Sequence, residues 1–441
     1  MGSDGRATIF ALSTAAGRAG IAVLRVSGPA TRDAAAALTA RPLPRPRTAT
    51  LRSFLDDEGL AIDRGLLLWF PAPASFTGED LAEFHVHGGR AIVDAMLGAL
   101  GRVSGLRPAE PGEFTRRAVE NGKFDLTAAE GLTDLIGAET EAQRRQALRQ
   151  YDGALAALYE GWRHRLIAIL ALVEAAIDFS DEELPDDVLE QARDALHEIA
   201  AEIARHIDDG GRGEILREGL RIALIGPPNA GKSSLLNALA RRDVAIVSDI
   251  AGTTRDVIDV KLDLGGFPVI VSDTAGLRAS EDKVEAEGVR RALAQAQASD
   301  LVLLLVDGSE DVVPELPEGV KPPLIVWNKS DLVPHVARRP GINVSARTGE
   351  GIDALVAALT QAVRSIADVP REAPLLTRAR HRILLMEASA CLARALKAPA
   401  ERPELLGEDV RLALRALGRI TGRVDVEEIL DAIFAGFCIG K

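Results

Sequence analysis

Residues 226–234 read GPPNAGKSS, which fits Gly-x4-Gly-Lys-Ser. That spacing is suited to holding phosphate. Glycines at 226 and 231 let the backbone wrap so that its N–H groups face phosphate oxygens. Lys232 reaches the β- and γ-phosphates, and the Ser233 hydroxyl can ligate Mg²⁺. The apolar run RIALI precedes the loop and SSLLNALA follows it, so strand and helix flank it as the chemistry requires. The alternative, a glycine-rich turn that merely joins two elements, is disfavoured because every part of that context is met.

Three more motifs follow in order. Asp273-Thr274-Ala275-Gly276 ends the run PVIVS, placing Asp273 to act on Mg²⁺ through water and the Gly276 N–H to sense a γ-phosphate. Asn328-Lys329-Ser330-Asp331 ends another apolar run, and Asp331 can accept from the two guanine donors, N1–H and the exocyclic amine. Adenine has an acceptor at N1 and no amine at C2, so the same carboxylate rejects it. Ser345-Ala346-Arg347 follows GINV and fits the loop that touches the guanine carbonyl. Four ordered motifs, each after a strand, predict a GTP-hydrolysing domain with Mg²⁺.

The residue after Gly276 is Leu277, where many small GTPases carry a water-orienting Gln. Another group must do that work. The acidic stretch Glu281, Asp282, Glu285 and Glu287 reads mostly as a solvated loop, with one carboxylate free to orient water. Between the phosphate loop and Asp273 lies SDIAGTTRD (248–256), in which a Thr can ligate Mg²⁺. Asn229 has two readings, a ligand for a monovalent cation beside the phosphates or a stabiliser of the turn. The nucleotide contacts are thus expected from Asn229, Ala230, Gly231, Lys232, Ser233 and Ser234, from the 248–254 segment, from 273–276, from 328–331 and from 345–347.

These loops need strands and helices to hold them. Residues 219–368 alternate apolar runs with helical stretches, and several runs are apolar at every position, as parallel strands buried on both faces would be. Residues 1–120 read as mixed α/β, with RPLPRPR (41–47) as a loop and LAEFHVH (81–87) as a strand of alternating faces. Residues 125–210 read as long helices opened by a Thr127-x-x-Glu130 capping box, with Gly153 and Gly161 as weak points. Residues 375–437 are helical again and need the earlier helices to cover their apolar face. The expected fold is α/β plus α, with the doubly wound unit inserted into one discontinuous helical domain.

Composition narrows the function. The chain has 441 residues, which suggests about three domains. Its net charge of −13 argues against a broad basic surface for nucleic acid, so any such contact is local or shared with a partner. The two cysteines, Cys391 and Cys438, are far apart and suit a reducing compartment. No spanning-length apolar run and no signal peptide are evident, so the expected location is the cytoplasm, away from membranes.

The motifs GPPNAGKSS, SDIAGTTRD, DTAGLR, NKSD and SARTGEG, with SFTGED (75–80), HGG (87–89), PGEFT (111–115), EAAIDF (174–179) and the terminal FCIGK, resemble the MnmE (TrmE) family of tRNA-modifying GTPases across the whole chain. The resemblance implies an N-terminal folate-binding and dimerisation domain (1–120), a helical domain in two parts (121–216 and 371–441) and a GTPase domain (217–370). It implies a homodimer, and a heterotetramer with the FAD-dependent MnmG (GidA). That assembly would install a carboxymethylaminomethyl or aminomethyl group at C5 of the wobble uridine, position 34, of certain tRNAs. Hydrolysis would be stimulated by K⁺ held by Asn229, Ser248, Ile250 and Thr253, which lie in a segment also containing Asp249, Ala251 and Gly252. By the same resemblance Mg²⁺ is ligated by Ser233 and Thr254, and Glu285 orients the attacking water. Arg25, Glu83, Lys123 and Lys441 would contact 5-formyltetrahydrofolate or a related folate. Cys438 is either a buried structural thiol or a participant in the modification chemistry. His85 and His87 lack a third metal ligand and read as polar strand residues. A GTP-switched RNA-binding or ribosome-assembly factor is the rival reading, but no KH-like βα pattern follows the GTPase motifs.

Overall fold

The computed structural model describes residues 7–178, 188–209, 211–246, 259–273, 294–310, 313–314, 316, 319–333, 341–367, 375–424, 433–434, 437 and 440. The chain divides into two compact units, residues 1–133, 151–163 and 415–441 in one, and 134–150 with 164–414 in the other.

The first unit is built on six strands, β1 (Thr8–Leu12), β2 (Ala19–Ser27), β3 (Thr50–Leu55), β4 (Ala61–Phe70), β5 (Leu81–Gly88) and β6 (Leu106–Pro108). Their order is β3-β4-β5-β2-β1-β6, antiparallel except for the β1/β6 pair. Helices α1 (Thr31–Thr39) and α2 (Arg90–Arg102) supply Ala34, Leu38, Met96 and Leu100 to the core that covers one face of the sheet. Phe54 and Phe84 meet edge to face there at 5.6 Å. The alternation read along β5 is present, with Ala82, Phe84 and Val86 buried and Glu83, His85 and His87 turned outward. Leu81, which alternation places on the same side as Glu83, His85 and His87, is buried.

SFTGED and PGEFT meet in this unit. Helix α3 (Glu113–Glu120) brings Arg117, only 3% exposed, between Glu113 at 2.8 Å and Glu79 at 3.1 Å. Such a buried cation is tolerable only because carboxylates and the Ala7 carbonyl satisfy its donors. Helix α4 (Leu126–Ile136) corrects the capping expectation. The cap is Asp125, whose carboxylate accepts from the Ala128 N–H at 2.9 Å and from the Thr127 hydroxyl at 2.9 Å. Thr127, the second residue of α4, is fully buried and donates to the cap instead of forming it.

The following helices are α5 (Glu141–Tyr151), α6 (Ala154–Asp178), α7 (Val188–Ile207) and α8 (Arg212–Glu218). Gly153, at φ 90°, breaks the run as expected, whereas Gly161 continues inside α6.

The second unit contains the sheet that carries the phosphate loop. Its strands are β7 (Leu220–Ile225), β8 (Asp259–Leu264), β9 (Phe267–Asp273), β10 (Leu301–Asp307), β11 (Leu324–Asn328) and β12 (Ile342–Asn343). The order is β12-β11-β10-β7-β9-β8, parallel but for β8 against β9. Strand β10 is buried along nearly its whole length, the mark of a central parallel strand, while edge strand β8 alternates exposed and buried. Helices α9 (Lys232–Ala240) and α10 (Ile352–Ala367) cover the sheet with Leu235, Leu239, Leu355 and Leu359.

Helices on either side of this sheet in sequence also pack together. α7 lies against α11 (Ala379–Lys397), with Arg193 of α7 donating to the Leu396 and Ala398 carbonyls at 3.2 and 2.7 Å. Arg382 of α11 binds Asp209 at 2.8 Å and Glu214 at 3.2 Å. Helix α12 spans Pro403–Thr421. The segment entering α5 fastens to the β8–β9 hairpin, where the Ala142 N–H donates to the Gly266 carbonyl at 3.1 Å and Lys261 pairs with Glu139 at 3.0 Å. Among the described residues no helix is long and apolar enough to cross a membrane.

Candidate functional site

Strand β7 lies between β9 and β10, so its carboxyl end opens where an α/β sheet binds ligands. The chain leaves β7 through Gly226, at φ 154°, where a Cβ would stand 2.2 Å from the Leu305 carbonyl oxygen. Gly231 enters α9 at φ 96°, and a Cβ there would meet the Asn328 amide nitrogen at 2.3 Å. Both positions admit only glycine, which explains the motif's spacing. Asn229 sits at φ 62°, a conformation Asn tolerates better than most residues. Its side chain is exposed beside the helix N-terminus, and both of its readings remain compatible with that place.

Lys232 is buried and donates to the carbonyls of Gly226 at 2.8 Å and Pro227 at 3.0 Å, which holds the loop round its own ammonium. Burial pushes its pKa down, and the charge of Asp273 partly offsets this. Asp273 ends β9 and is 3% exposed, and it accepts from the Ser233 hydroxyl at 3.2 Å. A hydroxyl and a carboxylate side by side at a helix N-terminus are hard oxygen donors of the kind Mg²⁺ takes. Ala230 is buried, while Ser234 is exposed on the first turn of α9.

The base loops are built from β11 and β12. Asn328 is buried, and its amide spans two loops. Its Nδ2 donates to the Ala230 carbonyl at 2.7 Å, and its Oδ1 accepts from the Ala346 N–H at 3.1 Å. Ser330 is buried, with its N–H on the Val344 carbonyl at 3.0 Å. Asp331 accepts from the Ser345 hydroxyl at 2.7 Å and from the Arg347 guanidinium at 2.6 Å. Ser345's hydrogen bond, with the charge of Arg347, holds this carboxyl below the usual range against the cost of burial. An ionised carboxylate has about four lone-pair sites, so these bonds leave acceptor capacity for a further partner.

Sequence reading missed Asp307. Burial at the end of β10 would raise its pKa, but Lys329 at 2.5 Å and Ser309 at 2.6 Å hold it down. The pair fixes Lys329, whose backbone is left-handed at φ 61°. The available signal was a carboxylate ending the apolar run LVLLLVDG. Residues 248–254, Thr274, Ala275, Gly276, Glu285, Cys438 and Lys441 lie outside the described residues.

A second group forms on β2 and β5. Arg25 pairs with Glu83 at 2.9 Å, and its guanidinium lies 5.3 Å from the Phe76 ring centroid. Glu83 is held below its usual pKa first by its hydrogen bond with His85, then by Arg25, against desolvation. Glu83 and Lys123 line one cavity of about 250 Å³. Three of the four expected folate contacts are therefore neighbours. His85 faces Glu83 at 3.4 Å, whereas His87 pairs with Asp63 at 2.9 Å. They do not form a metal pair, and among the described residues no cluster of three or more His, Cys, Asp or Glu could hold a metal ion.

The strand order, the glycine-bound phosphate loop and the carboxylate between Ser345 and Arg347 define a P-loop protein with a guanine-reading pocket. Residues 8–123 match the family described as GTP-binding protein TrmE N-terminus, and residues 126–438 match the MnmE helical domain. Proteins named tRNA modification GTPase MnmE align along nearly the whole chain. That of Parvibaculum lavamentivorans is 59% identical over 439 residues, covering 98% of this chain and 100% of its own. Those of Rhodospirillum rubrum and Maricaulis maris are each 54% identical, covering 98% of this chain and 99% of their own. The chain belongs to the MnmE family.

Proposed function

We propose that this protein is a K⁺-stimulated GTP hydrolase which, with an FAD-dependent partner of the MnmG (GidA) type, installs a carboxymethylaminomethyl or aminomethyl group at C5 of the wobble uridine of certain tRNAs. The observation that carries this reading is the ionised Asp331, held by Ser345 and Arg347, on the same sheet as the Lys232 loop in a chain of the MnmE family. Water attacks the γ-phosphorus, and the bond to the β–γ bridging oxygen breaks. Lys232 and the α9 N-terminus bind the charge that moves to that oxygen. Ser233 and Thr254 would hold Mg²⁺, which when bound would supply neutralisation of the phosphate charge. Asn229, Ser248, Ile250 and Thr253 would hold K⁺, which would supply further positive charge beside the phosphates, as an arginine finger does. Glu285 orients the water, since Leu277 cannot.

The N-terminal domain (1–120) holds a folate through Arg25, Glu83, Lys123 and Lys441 and forms the homodimer. The charged, aromatic-walled cavity beside Glu83 supports this assignment. The helical parts (121–216 and 371–441) flank the GTPase domain (217–370). Cys438 is either a buried structural thiol or a participant in the modification chemistry, and the protein works in the cytoplasm. Mass spectrometry of wobble uridines in cells lacking this protein tests the reading. Modification should disappear and return with the wild-type gene but not with Asp331→Asn. Unchanged uridines in the deletion strain would refute it.

A further inference from the structure

The cavity of about 250 Å³ in the first unit has a floor and a mouth of different chemistry. At the floor Glu83 is half-buried, paired with Arg25 beside the Phe76 ring. At the mouth stand two exposed cations, Lys123 and Arg47. Arg47 closes the proline-rich loop RPLPRPR, to which no chemistry attaches from sequence. Its backbone is pinned at φ 58°, with its N–H on the Trp69 carbonyl at 2.8 Å. Its guanidinium lies over the Phe70 ring, 5.5 Å from the centroid, and donates to the Ala74 carbonyl. Stacking on an aromatic face leaves guanidinium N–H donors in the ring plane free for a further partner.

Two cations, Arg47 and Lys123, thus line the cavity with one carboxylate, Glu83, which Arg25 already pairs. The surplus is positive and lies at the mouth. A reduced folate has the matching polarity, with pterin N–H donors at one end and carboxylates at the other. The cavity is below the roughly 300 Å³ at which sites for drug-sized ligands begin, so it takes the bicyclic ring and leaves the tail to pass outward. We propose that Arg47 binds the tail carboxylate of the folate at the cavity mouth. This rests on the folate reading above and adds a residue that sets which folates bind. Phe70 keeps the guanidinium in place, so little side-chain freedom is lost on binding. The planar fork then accepts a carboxylate in bidentate fashion.

Calorimetry on the full chain with two ligands tests this, 5-formyltetrahydrofolate and a 5-formyl reduced pterin lacking the benzoylglutamate. The wild type should bind the folate more tightly than the pterin. Arg47→Ala should weaken folate binding roughly ten- to a hundredfold, the range for loss of a charged hydrogen bond, and leave the pterin within twofold. Arg47→Gln keeps an N–H donor for Ala74 but not the charge, and should behave like Arg47→Ala. Equal weakening of both ligands, or no weakening of either, would overturn the proposal, the first by making Arg47 a structural residue. If the wild type binds neither ligand, the folate reading itself fails and takes this one with it.

Discussion

Asp331 shows how far a single side chain can be followed from the sequence. Its place after an apolar strand makes it the expected base-reading carboxylate, but its partners Ser345 and Arg347 are fixed only once β11 and β12 lie side by side. Asp331→Asn should lower GTP affinity severely and move preference toward xanthosine nucleotides, whose C2 oxygen can accept from the new amide. Competition binding decides it, and unchanged GTP affinity would remove Asp331 from the pocket. For Glu285, Glu285→Ala should bind GTP and Mg²⁺ nearly as the wild type does, yet hydrolyse at least ~10²-fold more slowly under single-turnover conditions. A fall of only a few-fold, with a steep loss in Glu281→Ala or Asp282→Ala, would reassign the carboxylate. Hydrolysis should also run faster in K⁺ than in Na⁺ at equal ionic strength, with Asn229→Ala removing most of the difference. Equal wild-type rates in the two salts would exclude the ion site. Glu83 and Lys123 are forty residues apart in sequence (123 − 83 = 40), and no spacing rule joins them. Only resemblance named them together before the fold made them neighbours.

At the scale of elements, what was legible depended on periodicity. Strand β5 and the parallel strands could be read because burial repeats on a fixed period. The cap of α4 was misplaced because Thr-x-x-Glu fits the local rule, while Thr127 is buried with its hydroxyl on Asp125, which caps the helix itself. The contact of α7 with α11 has a measurable consequence. His206, on α7, is held at about 4 by burial, which Asp209 opposes, while His381 and Arg382 lower it further. The folded pKa is depressed below the ordinary 6.5, so below that pH the unfolded chain binds the proton first. Stability is full above pH 6.5 and falls as pH drops toward 4, by at most about 3 kcal/mol. Urea melts between pH 7 and 4 should show His206→Leu flattening that decline. An identical slope in wild type and variant would mean that other groups set it.

Over the whole molecule the charge of −13 has to be reconciled with a tRNA substrate. An acidic chain gains little from counterion release, which drives most protein–nucleic acid affinity. The chain alone should therefore bind tRNA weakly, with a shallow dependence on salt, and the basic contacts should come with the proposed partner. Filter binding from 50 to 200 mM KCl, with and without the proposed flavoprotein, measures this. A ~10³-fold loss for the chain alone, as for six or more phosphate contacts, would mean that its own surface holds a strong basic tract.

Asn328 ties the two ends of the nucleotide site to one amide, with Ala230 on one side and Ala346 on the other. The thermodynamic consequence is reciprocity. If phosphates at the first loop steady the second, then a base at the second steadies the first by the same free energy. The halves of GTP would then bind more weakly apart than their joint affinity suggests, even with the linking entropy counted. Inorganic pyrophosphate, which touches no base loop, should slow hydrogen exchange at the Ala346 amide, and Asn328→Ala should abolish that slowing. Exchange at Ala346 indifferent to pyrophosphate would reduce Asn328 to a passive strut.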